Sequence, residues 1–267
     1  MLRHLIGRAV QLACAIPVFL FSTLPAPAQQ ASTLPPDNFA YFYQDPRPER
    51  LTEIFASVQN TATSWIAFPP LTGLLAADFK SHPEHIDRLV PIVKDVKASY
   101  ALITAARLSG QPAKAEMLRA KFTNLGFDQT LNAEFAGIPT RFEDLQITRP
   151  THLDILWGAS FAAGDSRYVM PIVDYFAAAA NTSELVAIDI TKTAVEMTGG
   201  PKGTIAGLKA KYGDAGAMQM ILAATALWAI ASNSRQHDYV KQTVVRYVGD
   251  HPGAPATKAL SALPALK

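Results

Sequence analysis

A chain of 267 residues with 49% hydrophobic content holds enough apolar material for one sizeable core or two small domains, which excludes a wholly disordered protein. Its 24 basic and 22 acidic side chains give a net charge of +2 without Lys/Arg clusters, so it lacks the concentrated positive surface that nucleic-acid phosphates require. One cysteine, Cys14, excludes intrachain disulfides and cysteine-rich metal sites.

The first residues resemble an export signal. Arg3, His4 and Arg8 precede an apolar run over residues 9–24, and Ala26-Pro27-Ala28 has the small-x-small pattern of a signal-peptidase site. Cleavage before Gln29 is expected, because the run is shorter than the roughly 20 residues of a spanning helix. Cys14 follows Gln11-Leu12-Ala13, a poor lipobox. Loss of residues 1–28 removes two arginines and no acids, leaving 22 charges of each sign. Periplasmic or secreted location follows from this reading; a retained leader instead makes the protein membrane-tethered.

Residues 29–50 combine prolines with Phe39, Tyr41, Phe42 and Tyr43, which predicts an extended arm stapled to the body by its aromatics. A single helical domain is expected over 51–250, with a mobile Ala/Pro-rich tail over 251–267. Apolar residues three and four apart predict helices over 51–60, 71–80, 100–108 and 112–125, with Pro69-Pro70 as a break. Ser81-His82-Pro83-Glu84 reads as a helix start with Pro83 in the first turn, and Pro91 should divide the helix that follows. Residues 126–150 are irregular, with short extended pieces expected near 142–148, and form a crossover or a lid.

The best-specified stretch is 154–176. Leu153, Leu156, Trp157, Ser160 and Phe161 share one helical face, as do Val169, Ile172, Val173 and Phe176. Gly164 suits the positive φ of a helix end, and Asp165 or Ser166 suits the next helix start. Further helices are predicted over 183–198, 204–212, 215–231 and 236–248. That over 215–231 is strongly apolar, yet its length and its Gln219 and Thr225 fit a buried core helix better than a membrane span.

Leu156-Trp157 and Tyr168-Val169 are echoed by Leu227-Trp228 and Tyr239-Val240 at an offset of 71, and Leu102, Leu108, Gly110 and Phe122 are echoed at an offset of 54. The pattern resembles α-solenoid proteins of the TPR or HEAT kind, although the W-x₂-L-G-x₂-Y signature is absent. The expected fold class is all-α: stacked antiparallel helical hairpins, solenoid-like, or an irregular helical bundle.

No catalytic or cofactor motif assembles. His82 and His85 have a spacing that can bind a metal, but Pro83 lies between them, no third ligand is evident, and helix-end histidines are the expectation. Gly158-Ala159-Ser160-Phe161-Ala162 lacks the last glycine of a nucleophile elbow. In Gly199-Gly200-Pro201-Lys202-Gly203-Thr204 the lysine precedes the final glycine, against the phosphate-loop order; a helix end and turn suffices, leaving the N–H groups at Thr204 as an anion-site alternative. Glu143-Asp144, with Asp154 and Asp165, offers a hydrolase alternative, while Arg141, Glu143 and Arg149 suit a structural ion-pair group. Trp157, Tyr168, Trp228, Asn233, His237 and Tyr239 are the groove candidates if a concave surface exists, with inter-helix core as the alternative for the aromatics. The leading expectation is a non-catalytic scaffold binding a protein or peptide; the runner-up is an envelope hydrolase or small-ligand protein with 126–150 covering a pocket beside Trp157.

Overall fold

The computed structural model describes residues 39–62, 65–126 and 138–263. Among them the chain is all-α, with no named strand and a single isolated bridge between Ser109 and Arg141. Eleven α-helices follow in order: α1 Pro48–Thr61, α2 Phe68–Ser81, α3 His85–Leu89, α4 Val96–Leu108, α5 Pro112–Lys121, α6 Pro150–Ala163, α7 Met170–Ala180, α8 Glu184–Met197, α9 Thr204–Asn233, α10 Asp238–Asp250 and α11 Pro255–Ser261. The leader and the first part of the expected arm lie outside the described residues, as do 127–137 of the irregular stretch.

At the centre stands α2, whose residues from Leu71 to Phe79 are all buried, Thr72 and Asp78 included. Pro69 and Pro70 do not break it. They occupy its first turn, where a missing N–H leaves no intrahelical bond unmade. Its main neighbours are α6 and α4. The α2–α6 crossing is made by backbone on backbone: a Cβ on Gly73 would stand 1.8 Å from the Ile155 carbonyl oxygen, and one on Gly158 would stand 1.8 Å from that of Pro70. Two glycines, one from each helix, therefore set the distance of closest approach, and Leu71, Leu74, Leu75, Ile155, Leu156 and Ala159 fill the space around them.

The helices of the 154–176 stretch form as expected. α6 closes on Gly164, at φ 64°, and Asp165 Oδ1 accepts the Arg167 N–H at 2.8 Å before α7 begins. Their chief partners, however, are elsewhere in the chain: α6 packs mainly on α2, and α7 on α9. Sequential pairing is strongest for α4 with α5 and for α8 with α9.

Local chemistry accounts for most helix ends. Asp95 and Ser183 accept the N–H groups of Ala98 and Val186 and start α4 and α8. Pro91 ends α3 and passes the chain into the 3₁₀ turn Val90–Ile92. The two helices expected over 204–212 and 215–231 are joined into α9, with a break at Gly213 (φ 69°, ψ 178°). By length and composition α9 can cross a membrane, and 56% of its apolar window is buried within the protein, as in a core helix.

Two expectations are corrected. Residues 142–148 are not extended pieces: Phe142–Asp144 is a 3₁₀ turn and the rest irregular, with Ile138, Phe142 and Leu145 buried as anchors. The stretch expected to be a mobile tail contains α11, because Ala256, Ala259, Leu260 and Leu263 supply an apolar face that packs on α7, α8 and α10. Asn181 Oδ1 receives the Ala256 N–H at 2.9 Å and ties that end to α7.

Candidate functional site

Two corners of the molecule gather titratable side chains. The first lies where the end of α6 meets the α9–α10 turn. His237 precedes α10 and is 1% exposed. Its ring lies among Tyr41 (centroids 4.8 Å apart), Phe161 (5.3 Å), Tyr239 (5.6 Å) and Tyr43 (5.8 Å). Phe39 meets Phe161 edge-on at 6.1 Å, and Phe161 stacks with Trp157 at 6.2 Å. Residues 39–44 are thus stapled to the body by their aromatics as expected, but through the 3₁₀ turn Phe42–Gln44 instead of an extended arm. Tyr43 also covers Gly164, where a Cβ would stand 2.5 Å from its ring.

Hydrogen bonding at this corner is incomplete. His237 Nδ1 is 3.3 Å from the Tyr43 hydroxyl, while His237 Nε2 and Trp157 Nε1 are buried with no hydrogen-bond partner among the described residues. Burial holds the imidazole below its ordinary pKa, favouring the neutral ring. In that form the ring carries one N–H, and the tautomer sets whether Nδ1 accepts from the Tyr43 hydroxyl or donates to it. Tyr239 donates its hydroxyl to the Ser160 carbonyl at 3.1 Å, and burial pushes its pKa well above the ordinary phenol value.

Three of the six groove candidates, Trp157, His237 and Tyr239, therefore meet. The other three do not join them. Tyr168 is buried against Phe142, at 4.7 Å between centroids. Trp228 is half-buried against the core, and Asn233 donates its side-chain N–H to the Ala229 carbonyl at 2.9 Å, closing the last turn of α9. Sequence reasoning placed Tyr41 and Tyr43 in the arm without linking them to His237, because nothing local pairs residues so far apart.

The second corner lies at the end of α2. His85 Nδ1 is 2.7 Å from Asp78 Oδ2, and His82 Nδ1 is 3.6 Å from Asp78 Oδ1. The two imidazoles are stacked, 5.0 Å apart and 17° from parallel. Asp78 and His85 are buried, whereas the His82 side chain is 49% exposed. Burial raises the Asp78 pKa, and the bond to His85 pulls it partly back. The sequence reading found no third ligand beside the two histidines; α2 supplies one, four residues before His82.

The remaining candidates have structural duties. Ser160 Oγ donates to the Trp157 carbonyl at 2.9 Å inside a helix and has no imidazole base on it. Glu143 pairs with Lys80 at 2.7 Å and Asp144 with Arg141 at 2.9 Å, each cation holding its partner's pKa down. Of the expected group of Arg141, Glu143 and Arg149, Arg141 also acts on Glu143 and helps to lower its pKa. At the glycine-rich turn, Glu196 receives the N–H groups of Gly203 (3.2 Å) and Ile205 (3.0 Å), so the anion at the start of α9 is a carboxylate of α8. Asp154 stands apart: burial pushes its pKa up to about 7, and no charged partner among the described residues draws it back.

No protein family, curated protein or solved structure matches this chain.

Proposed function

We propose that the chain is an exported α-helical bundle, built partly from hairpins, that acts as a non-catalytic scaffold and holds an aromatic peptide segment of a partner protein at the His237 corner. The observation that carries this reading is the corner's present occupant. Residues 39–44 enter as a short peptide, set Tyr41 and Tyr43 on His237 and Tyr239, and are gripped with few polar bonds. Aromatic anchors seated on an aromatic and imidazole surface are how peptide hot spots bind, since rigid rings bury large area at small entropic cost. The basic start and apolar run of residues 1–28 support a periplasmic or secreted setting; retention of that run would tether the same scaffold to a membrane.

Site-specific photo-crosslinking tests the reading. A photoreactive residue at Gln44, which is exposed beside the corner, should trap a discrete envelope protein. The same residue at Lys209, far along the chain, should not. Loosening the resident segment with Tyr41→Ala should raise the yield several-fold. Equal yields at both positions, unchanged by Tyr41→Ala, contradict the proposal.

A further inference from the structure

The corner at the end of α2 carries an inference independent of the scaffold role. Asp78, His82 and His85 each present one donor atom, and all three atoms lie within 4.8 Å of one another. The backbone explains why. Asp78 and His82 are one helical turn apart, so they share a face, and His82 ends α2 at φ −134°. Pro83 and Glu84 then carry the chain through a tight turn in which the His85 N–H bonds the His82 carbonyl at 3.1 Å. That turn brings the second imidazole back over the first.

We propose that Asp78, His82 and His85 form a binding site for one divalent transition-metal ion of the zinc class. Two imidazole nitrogens and one carboxylate oxygen are borderline ligands, which suit zinc and its neighbours and disfavour magnesium or calcium. A zinc ion takes such ligands at about 2.0–2.2 Å, which places them about 3.4 Å apart in a tetrahedron. His82 Nδ1, 3.6 Å from Asp78 Oδ1, nearly matches that spacing, whereas His85 Nδ1 and Asp78 Oδ2, now hydrogen-bonded at 2.7 Å, move apart to admit the ion. Small rotations of the His85 ring and of the exposed His82 side chain complete the set, and the solvent beside His82 supplies water for the fourth position.

Two features beyond the donor set support the assignment. Asp78 is a carboxyl only 2% exposed that both imidazoles face. An ion held by all three would satisfy this buried carboxylate. Glu84 Oε1 lies 3.9 Å from His85 Nε2. When Nδ1 binds a metal, Nε2 must carry the proton, and a carboxylate facing that nitrogen is the usual outer partner of a metal-bound histidine. As the ion enters, Nδ1 gives up the hydrogen of its bond to Asp78 and the ring carries its proton on Nε2, on the side of Glu84.

The test is zinc titration of the full, untagged chain after chelator treatment, followed by cobalt substitution. The expected result is one zinc per chain and, with cobalt, a visible absorption band of a tetrahedral or five-coordinate centre. His82→Ala, at an exposed position, should lower zinc affinity at least tenfold with an unchanged far-ultraviolet spectrum. His251→Ala, at the end of α10, should leave it unaltered. No zinc uptake by the unmodified chain, or equal affinity in the unmodified chain and His82→Ala, overturns the proposal. Because crosslinking at Gln44 does not involve this corner, its failure leaves the metal site standing, and the converse holds.

Discussion

The two histidine corners show how differently one side chain behaves when its surroundings change. At the α6–α10 corner, aromatic rings surround His237, burial favours the neutral imidazole, and one ring nitrogen has no partner among the described residues. At the end of α2, His85 faces a buried carboxylate and His82 faces water. The first arrangement is suited to gripping rings and the second to gripping a cation. Both hang from the same pair of helices, α2 ending in the Asp78 corner and α6 in Phe161 and Gly164. The difference teaches that residue type alone assigns no chemistry to a histidine; its neighbours do.

The largest effect should come from the crossing that supports both corners. Gly158→Ala or Gly73→Ala forces a methyl group into a carbonyl 1.8 Å away, which the backbone can relieve only by separating the helices. A loss of about 3–5 kcal/mol is expected in urea unfolding, at the severe end for single substitutions. A loss below about 1 kcal/mol would show that α2 and α6 are not in backbone contact.

Next come the buried Asp78 and the half-buried Asp154, for which opposite signs are expected. Asp78→Asn weakens a charge-assisted bond to His85 and should destabilise by about 1–3 kcal/mol at pH 7. Asp154→Asn should stabilise. Its folded pKa of about 7 lies above the ordinary 3.8, so between those values the unfolded chain gives up a proton that the folded chain keeps. Stability therefore declines as pH rises from about 4 to 7 and levels off above. The full shift, discounted for the partial solvent contact of this residue, leaves about 1–3 kcal/mol. Thermal unfolding should show no gap between the unmodified chain and Asp154→Asn at pH 3, and the whole gap at pH 8. Stabilisation by both substitutions would remove the distinction drawn between the partnered and unpartnered carboxyls.

The smallest effect belongs to the tyrosine on His237. Tyr43→Phe removes two long hydrogen bonds, one with His237 and one from the exposed Gln44, at a cost of about 0.5–1.5 kcal/mol. His237→Gln should flatten part of the acid limb. A histidine whose folded pKa is depressed takes up its proton more readily when unfolded, so its contribution is present above pH 6.5 and is lost as pH falls below it. An acid limb unchanged in His237→Gln would contradict the burial assigned to this ring.

Helix positions were legible because local signals write them. Apolar spacing, Ser183 before α8, Pro83 before α3, Gly164 after α6 and the gap around Gly213 mark ends that need no knowledge of the rest of the chain. Which helix meets which was not legible. Gly73 and Gly158 carry no pairing code, and Gly158 read on its own suggested the start of a nucleophile elbow. The tryptophan echo misled in the same way: Trp157 is buried on Phe161, whereas Trp228 meets the core half-exposed. The tail was read from its Ala/Pro content, which hid an apolar face only seven residues long. Asp78 could have been found, since Asp78-x₃-His82 places both residues on one helical face. A helix boundary predicted before Ser81 put Asp78 and His82 on different elements, whereas the helix runs on to Ser81 with His82 as its cap.

The most direct test of the contrast between the corners is a nitrogen-detected NMR titration of the histidine rings, first with acid and then with zinc at neutral pH. His237 should remain neutral below pH 6.5 and ignore zinc, while His82 and His85 shift together and saturate at one equivalent. Protonation of His237 at an ordinary histidine pH, or a zinc response spread evenly over His152, His237 and His251, would contradict it.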